Sequence, residues 1–197
     1  MDTKDKLKSM TEKYHGVLRT SDVVDAKISM KSLAQYVKES GLEKFSQGIY
    51  CDPGTWTDTM FLLQLRCPRT VFSHETALFL HDLTDREPLS YTVTARTGYN
   101  PSHLTKVGIK VYTIKDELFE TGLTVADTPF GNTVNVYNME RTICDVIRSR
   151  NTIEAQMLQE AMKQYVRKKE KNIHQLMEYA ELFHVDRIIS RYLEVLL

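Results

Sequence analysis

An α+β fold in two parts is what this sequence predicts, and three observations carry that expectation. Apolar residues recur at helical spacing through residues 3–40, alternating segments separated by turn residues fill 91–137, and the helical period returns at Met139 and holds to the end. The order of these stretches predicts a small N-terminal module over residues 1–53. A larger α+β domain over 54–197, closing in a helical group, follows it.

Residues 3–15 form the first expected helix, with Leu7, Met10 and Tyr14 on one face and Gly16 at its end. After Val17-Leu18-Arg19, Thr20-Ser21-Asp22 reads as a helix start with a hydroxyl cap and an acidic first turn. This brief second helix carries Val23 and Val24 and fades at Lys27. Ser29 caps a third helix, with Ile28 and Leu33 spaced as a hydrophobic staple. Met30, Leu33, Ala34 and Val37 are expected on its inner face, Lys31, Ser32, Gln35, Lys38 and Glu39 on its outer one, and Gly41 ends it. "GLEKFSQGIYC" then reads as two extended arms around Ser-Gln-Gly.

In the larger part, "TWTDTMFLLQLRC" is expected to be helical and "SHETALFLHDL" to be a helix capped by Ser73. Tyr91–Thr94, Ile109–Ile114, Leu123–Val125 and Thr133–Tyr137 alternate as strands do, with Gly98, Pro101, Gly108 and Pro129-Phe-Gly-Asn132 between them. Four helical stripes follow, marked by Ile143/Val146/Ile147, Met157/Leu158/Ala161/Met162/Tyr165, Ile173/Leu176/Met177/Ala180 and Ile188/Ile189/Tyr192/Leu193/Leu196.

Three helices and then a hairpin is the order of a winged helix-turn-helix. Its expected DNA-facing surface has three parts. Lys31, Ser32, Gln35 and Lys38 on the third helix are short polar groups and donors, of which Gln can bond an adenine edge twice and Lys or Ser can reach guanine or phosphate. Arg19 and Thr20 at the start of the second helix would face the phosphate backbone with that terminus's amides. The hairpin tip, Lys44 through Gln47 with Ser46, would lie along the neighbouring groove. Lys13 and Lys27 extend the basic patch, and Asp25, Glu39 and Glu43 lie among these cations. A solvated polar face or a protein-binding module would carry the same pattern.

Overall charge neither demands nor forbids such a partner. The 26 basic and 26 acidic residues cancel, while residues 1–50 hold 9 basic and 7 acidic side chains. Cys51, Cys67 and Cys144 share no metal-ligand spacing and read as reduced thiols. The start lacks an apolar segment of the secretory kind and no apolar run is long enough for a bilayer, so a cytoplasmic location is expected.

No cofactor and no catalytic site are expected. His74-Glu75 and His81-Asp82 are the most enzyme-like residues, but the HExxH spacing is absent, and Glu75 suits a helix start. There is no phosphate-cradling glycine loop and no G-x-S-x-G elbow. Arg141 and Asp145 are spaced i,i+4, as in a surface or helix-packing ion pair. The run Arg167, Lys168, Lys169 and Lys171 fits a solvated loop, or a basic patch that touches nucleic acid.

Taken together, "GVLRTSDVVDAKISMKSLAQYVKESGLEKFSQGIYCDP", "VFSHETALFLHDLTDREP", "YTVTARTGYNPSHL", "TPFGNTVNVYNMERTICDVIRSR" and "LMEYAELFHVDRIISRYLEVLL" resemble the AbiEi family of antitoxins from bacterial abortive-infection, type IV toxin–antitoxin systems. The resemblance covers nearly the whole chain. It implies a winged helix that binds inverted repeats in the promoter of its own operon as an autorepressor. It also implies a C-terminal domain that counteracts a nucleotidyltransferase-like toxin without a stable complex, so conferring phage resistance. On this view the Arg167–Lys171 run is the antitoxin surface. A ligand-sensing transcriptional regulator, or an enzyme fused to a DNA-binding module, are the alternatives.

Overall fold

The computed structural model describes residues 2–54 and 58–196. The protein is α+β, with eleven helices and two sheets among the described residues. The chain divides into two compact units, residues 1–62 and 63–197.

The first unit runs α1 (Thr3–Lys13), β1 (Val17–Arg19), α2 (Thr20–Asp25), α3 (Met30–Ser40), β2 (Glu43–Ser46) and β3 (Ile49–Cys51). Its sheet is antiparallel in the order β1-β3-β2. Asp2 opens α1 through a reciprocal capping box with Asp5. Ser29 caps α3 by accepting from the Ser32 amide at 3.1 Å, and Gly41, at φ +69°, closes it in the left-handed conformation that glycine adopts without strain. Leu7, Leu18, Val23, Leu33, Tyr36 and Leu42 form the core, with Ile28 and Val37 against it. Each of the fully buried aliphatic side chains contributes roughly 1.5–3 kcal/mol.

Several local expectations need correction here. The inner face of α3 is Leu33, Tyr36 and Val37, while Met30 and Ala34 are exposed, because Tyr36 anchors the helix by reaching the Thr11 hydroxyl. Thr20 does not cap α2. Arg19 occupies the cap position without a side-chain bond, and the Thr20 amide donates to the Gly48 carbonyl at 2.8 Å. Val17–Arg19, unassigned by pattern, is a strand. Of the helix expected over "TWTDTMFLLQLRC", Thr55, Trp56 and Thr57 lie outside the described residues, and α4 spans Thr59–Arg66.

The second unit contains β4 (Thr70–Phe72), α5 (His74–Leu80), β5 (Thr92–Arg96), α6 (Ser102–Thr105), β6 (Lys110–Ile114), α7 (Asp116–Phe119), β7 (Leu123–Asp127), β8 (Thr133–Tyr137), α8 (Met139–Arg148), α9 (Ala155–Arg167), α10 (Ile173–Leu182) and α11 (Asp186–Leu196). Its mixed sheet has the order β6-β5-β4-β8-β7, with β4 antiparallel to β5 and parallel to β8. Every residue of α8 from Glu140 to Ile147 is buried, and Ile143, Val146 and Ile147 join residues of α9, α10 and α11 in one apolar cluster. Ser73 does not cap α5 with its side chain; its hydroxyl instead meets His74 Nδ1 at 3.0 Å and accepts from Thr94 at 2.8 Å. Among the described residues no helix is long and apolar enough to cross a membrane.

Candidate nucleic-acid interface

Helix α3 turns about 100° per residue, so Lys31, Gln35 and Lys38 lie opposite Leu33, Tyr36 and Val37. All three outward residues are exposed, and neither lysine forms an ion pair among the described residues. Gln35 Nε2 donates to Glu39 at 2.9 Å, and Glu39 also takes Lys4 at 2.8 Å. Both partners hold the Glu39 carboxyl below the usual carboxylate range, Lys4 most strongly. Ser32 is half-buried and spends its hydroxyl on that of Ser29.

After α3 in the chain, the hairpin of β2 and β3 turns at Gln47-Gly48, with Gly48 at φ +77°. The register slips between Lys44 and Ser46, leaving Phe45 as an extra residue in β2. A bulge of this kind reverses the alternation beyond it. Lys44 and Phe45 are therefore both exposed, while the Ser46 hydroxyl is buried and has no partner among the described residues. Gln47 is exposed at the tip. The hydroxyl expected at Ser46 is thus turned inward, and Phe45 takes an outward place that alternation alone did not assign to it.

Arg19 is committed elsewhere. Its guanidinium forks onto Asp22, with Nε 2.7 Å from Oδ2 and Nη2 against Oδ1, and Nη2 reaches the Tyr14 hydroxyl at 3.3 Å. The Asp22 hydrogen bonds raise the Arg19 pKa above its ordinary value. The amide of Thr20 is likewise taken by Gly48, so the α2 terminus offers less to a phosphate than its sequence suggests. Lys13 and Lys27 are exposed, Lys13 with its Nζ 5.0 Å from the Tyr14 ring.

In the second unit, the basic run lies between α9 and α10. Lys168 pairs with Asp82 at 3.4 Å, and Lys171 donates to the Lys168 carbonyl. Arg167 and Lys169 are exposed and form no ion pair among the described residues.

The enzyme-like residues each have partners within the fold. His74 Nε2 meets the Ser149 hydroxyl at 3.1 Å, and its ring stacks on Tyr112 at 3.5 Å. Burial, helped by Lys110, Arg141 and Arg148, pushes its pKa down to about 3. His81 donates through Nε2 to the Tyr137 carbonyl at 2.6 Å, and burial lowers its pKa as well. Glu75 pairs with Lys110 at 3.2 Å. Arg141 and Asp145 form a buried ion pair, Nε to Oδ2 at 2.9 Å, inside the unit rather than on its surface. Among the described residues no group of three or more His, Cys, Asp or Glu side chains is placed to hold a metal ion.

No family model matches the chain, and no curated protein matches it. Among solved structures, it is similar to the RV2827C protein from Mycobacterium tuberculosis, with a TM-score of 0.58 at 13% identity, over 92% of this chain and 72% of that one. The likeness is one of fold.

Proposed function

We propose that this chain is a sequence-specific DNA-binding protein that represses its own promoter through a winged helix-turn-helix in residues 1–62. The carrying observation is the outward face of α3. Lys31, Gln35 and Lys38 stand opposite the core, free of ion pairs among the described residues, on a helix followed by a β-hairpin. The order α1-β1-α2-α3-β2-β3 with sheet order β1-β3-β2 supports the same reading. In this role α3 enters the major groove, Gln35 and Lys31 read base edges, and Lys44, Phe45 and Gln47 of the hairpin lie along the adjoining backbone. The exchange of Gln35 from Glu39 to an adenine edge is inexpensive, since that hydrogen bond is solvent-exposed.

The second unit, by its resemblance to AbiEi proteins, acts as an antitoxin against a nucleotidyltransferase-like toxin, without catalysis of its own. Arg167 and Lys169 are its available cations. A ligand-sensing regulator is the second reading, favoured by a polar cavity in the same unit.

A gel-shift titration with the DNA upstream of its own gene, at two salt concentrations, tests the repressor reading. Lys31→Ala and Gln35→Ala are expected to relax base preference by about 1–3 kcal/mol for a bidentate contact. Lys13→Ala and Lys44→Ala are expected to weaken all sequences evenly and flatten the salt slope by about one each. Four variants that bind like the parent overturn the surface.

A further inference from the structure

The second unit has a half-open cavity of about 130 Å³ lined by His74, Tyr112, Arg141, Asp145, Arg148 and Ser149 among others. On these side chains Arg141 Nη2 is buried and has no partner among the described residues, while Tyr112 Oη, buried too, has the Lys110 ammonium beside it, which can only donate and so leaves the phenol's own proton unmet. Native interiors rarely leave such donors unmet, and a fully buried guanidinium least of all.

Arg141 cannot turn to satisfy itself. Its Nε is held by Asp145, and its Nη1 donates to the Leu118 and Thr121 carbonyls, each at 2.9 Å. The Tyr137 and Phe183 rings each lie 4.2 Å from its Cζ. With three of its hydrogens taken, Nη2 is the part of this cavity-lining side chain left without an acceptor. The Tyr112 phenol is fixed as well, by the stacked His74 ring. His74 itself is held at φ +48°, an uncommon backbone conformation for a residue with a side chain. Strain of this sort persists where surrounding structure over-determines it, and it clusters at binding sites.

Charge and size narrow the occupant. The cavity carries two guanidinium groups, Arg141 and the half-exposed Arg148, against one carboxylate, and buried His74 stays neutral. The volume exceeds the share of one water, about 30 Å³. Asp145 gives its Oδ2 to Arg141 Nε, while Oδ1 stands 3.9 Å from Arg148 and keeps lone pairs to spare. A carboxylate beside two guanidinium groups suits an oxyanion that carries a proton of its own, because the ligand's O–H can donate to it.

We propose that this cavity binds a phosphoryl group in its monoprotonated form, with Arg141 Nη2 and Tyr112 Oη donating to its oxygens, Arg148 closing the charge, and Asp145 accepting from its hydroxyl. The inference is independent of DNA binding, because none of these residues belongs to the first unit.

Calorimetric titration of the full chain with inorganic phosphate, a nucleoside 5′-monophosphate and sulfate tests it. Saturable binding with Kd of about 1 mM or tighter is expected for one or both phosphate compounds, and which of them binds tells free phosphate from a phosphomonoester. Sulfate, which has no proton at neutral pH, is expected to bind at least tenfold more weakly. Tyr112→Phe, which removes one hydroxyl, and Arg148→Ala, at the exposed edge, are each expected to weaken binding roughly tenfold with unchanged circular dichroism. No saturable binding of either phosphate compound up to about 10 mM, sulfate binding as well as phosphate, or parent-like affinity in both variants would overturn the proposal.

Discussion

Removing Asp145 should expose how the Arg141 charge is tolerated inside the second unit. Arg141 is fully buried and Asp145 is 3% exposed. Truncating one partner of such a pair leaves an uncompensated interior charge and costs about 3–5 kcal/mol. Two features of the structure pull the figure for Asp145→Ala toward the lower end. Arg141 keeps its two carbonyl acceptors, and the adjoining cavity admits water. Burial also raises the Asp145 pKa against the opposing pull of Arg141, so part of the pair's attraction already offsets desolvation. We therefore expect a loss of about 3 kcal/mol. Arg141→Met is also destabilising, since it strands the Leu118 and Thr121 carbonyls. The double variant should nevertheless be more stable than the sum of the single losses implies, by roughly 2–3 kcal/mol of coupling. Because a two-unit chain need not unfold in one step, urea unfolding by circular dichroism should be paired with hydrogen exchange on α8 peptides. If Asp145→Ala keeps the parent's α8 protection and stability to within about 0.5 kcal/mol, the buried-charge account fails.

Three further outcomes are expected. Folded His74 has a pKa near 3 against an ordinary 6.5, so between those values the unfolded chain takes up a proton that the folded one refuses. Its contribution is present above pH 6.5 and is lost as pH falls, at up to about 1.4 kcal/mol per pH unit. His74→Asn, which tolerates the positive φ, should shallow that slope in denaturation series at pH 7, 6 and 5, with His81 supplying a residue of it. Gly122→Ala should destabilise by roughly 2–4 kcal/mol in thermal melts. At φ +75° its new Cβ would stand 2.6 Å from Arg141 Cβ and 2.9 Å from Asn138 Oδ1. Replacing Arg167 and Lys169 together by Glu should impair toxin neutralisation in cells while leaving the promoter gel shift unchanged; unaltered neutralisation would remove this run from the antitoxin surface.

Much of the fold was legible because it is periodic. The polar side of α3, the Ser29 cap, the Gly41 stop and the four C-terminal helices all follow from spacing and end signals. Strand β4 was not, since Thr70-Val-Phe72 is too short to show alternation and is buried throughout, yet it is the strand on which the larger sheet is centred. At the candidate interface, three positions were moved by local chemistry that pattern does not display. Asp22 captured Arg19, the Gly48 carbonyl captured the Thr20 amide, and the bulge at Phe45 turned Ser46 inward. The polar cavity was illegible for a different reason. Arg141 and Asp145 stood out as a pair, but Tyr112, His74 and Ser149 come from separate segments that only the fold assembles, and nothing local in "NMERTICDVIR" says that its charges are buried.

The carboxylate at Glu39 has a consequence for how α3 would meet a duplex. Gripping the Gln35 amino group from one side and the Lys4 ammonium from the other, it fixes which end of the Gln35 amide faces solvent, so the carbonyl oxygen is presented and half the donor capacity is masked. A base edge that used the second amino hydrogen and the carbonyl oxygen would leave the Glu39 contact in place, and where both hydrogens were needed the exposed bond would exchange at little cost. Protonating Glu39 would take the charge assistance out of both contacts and loosen, without abolishing, its hold on the amide.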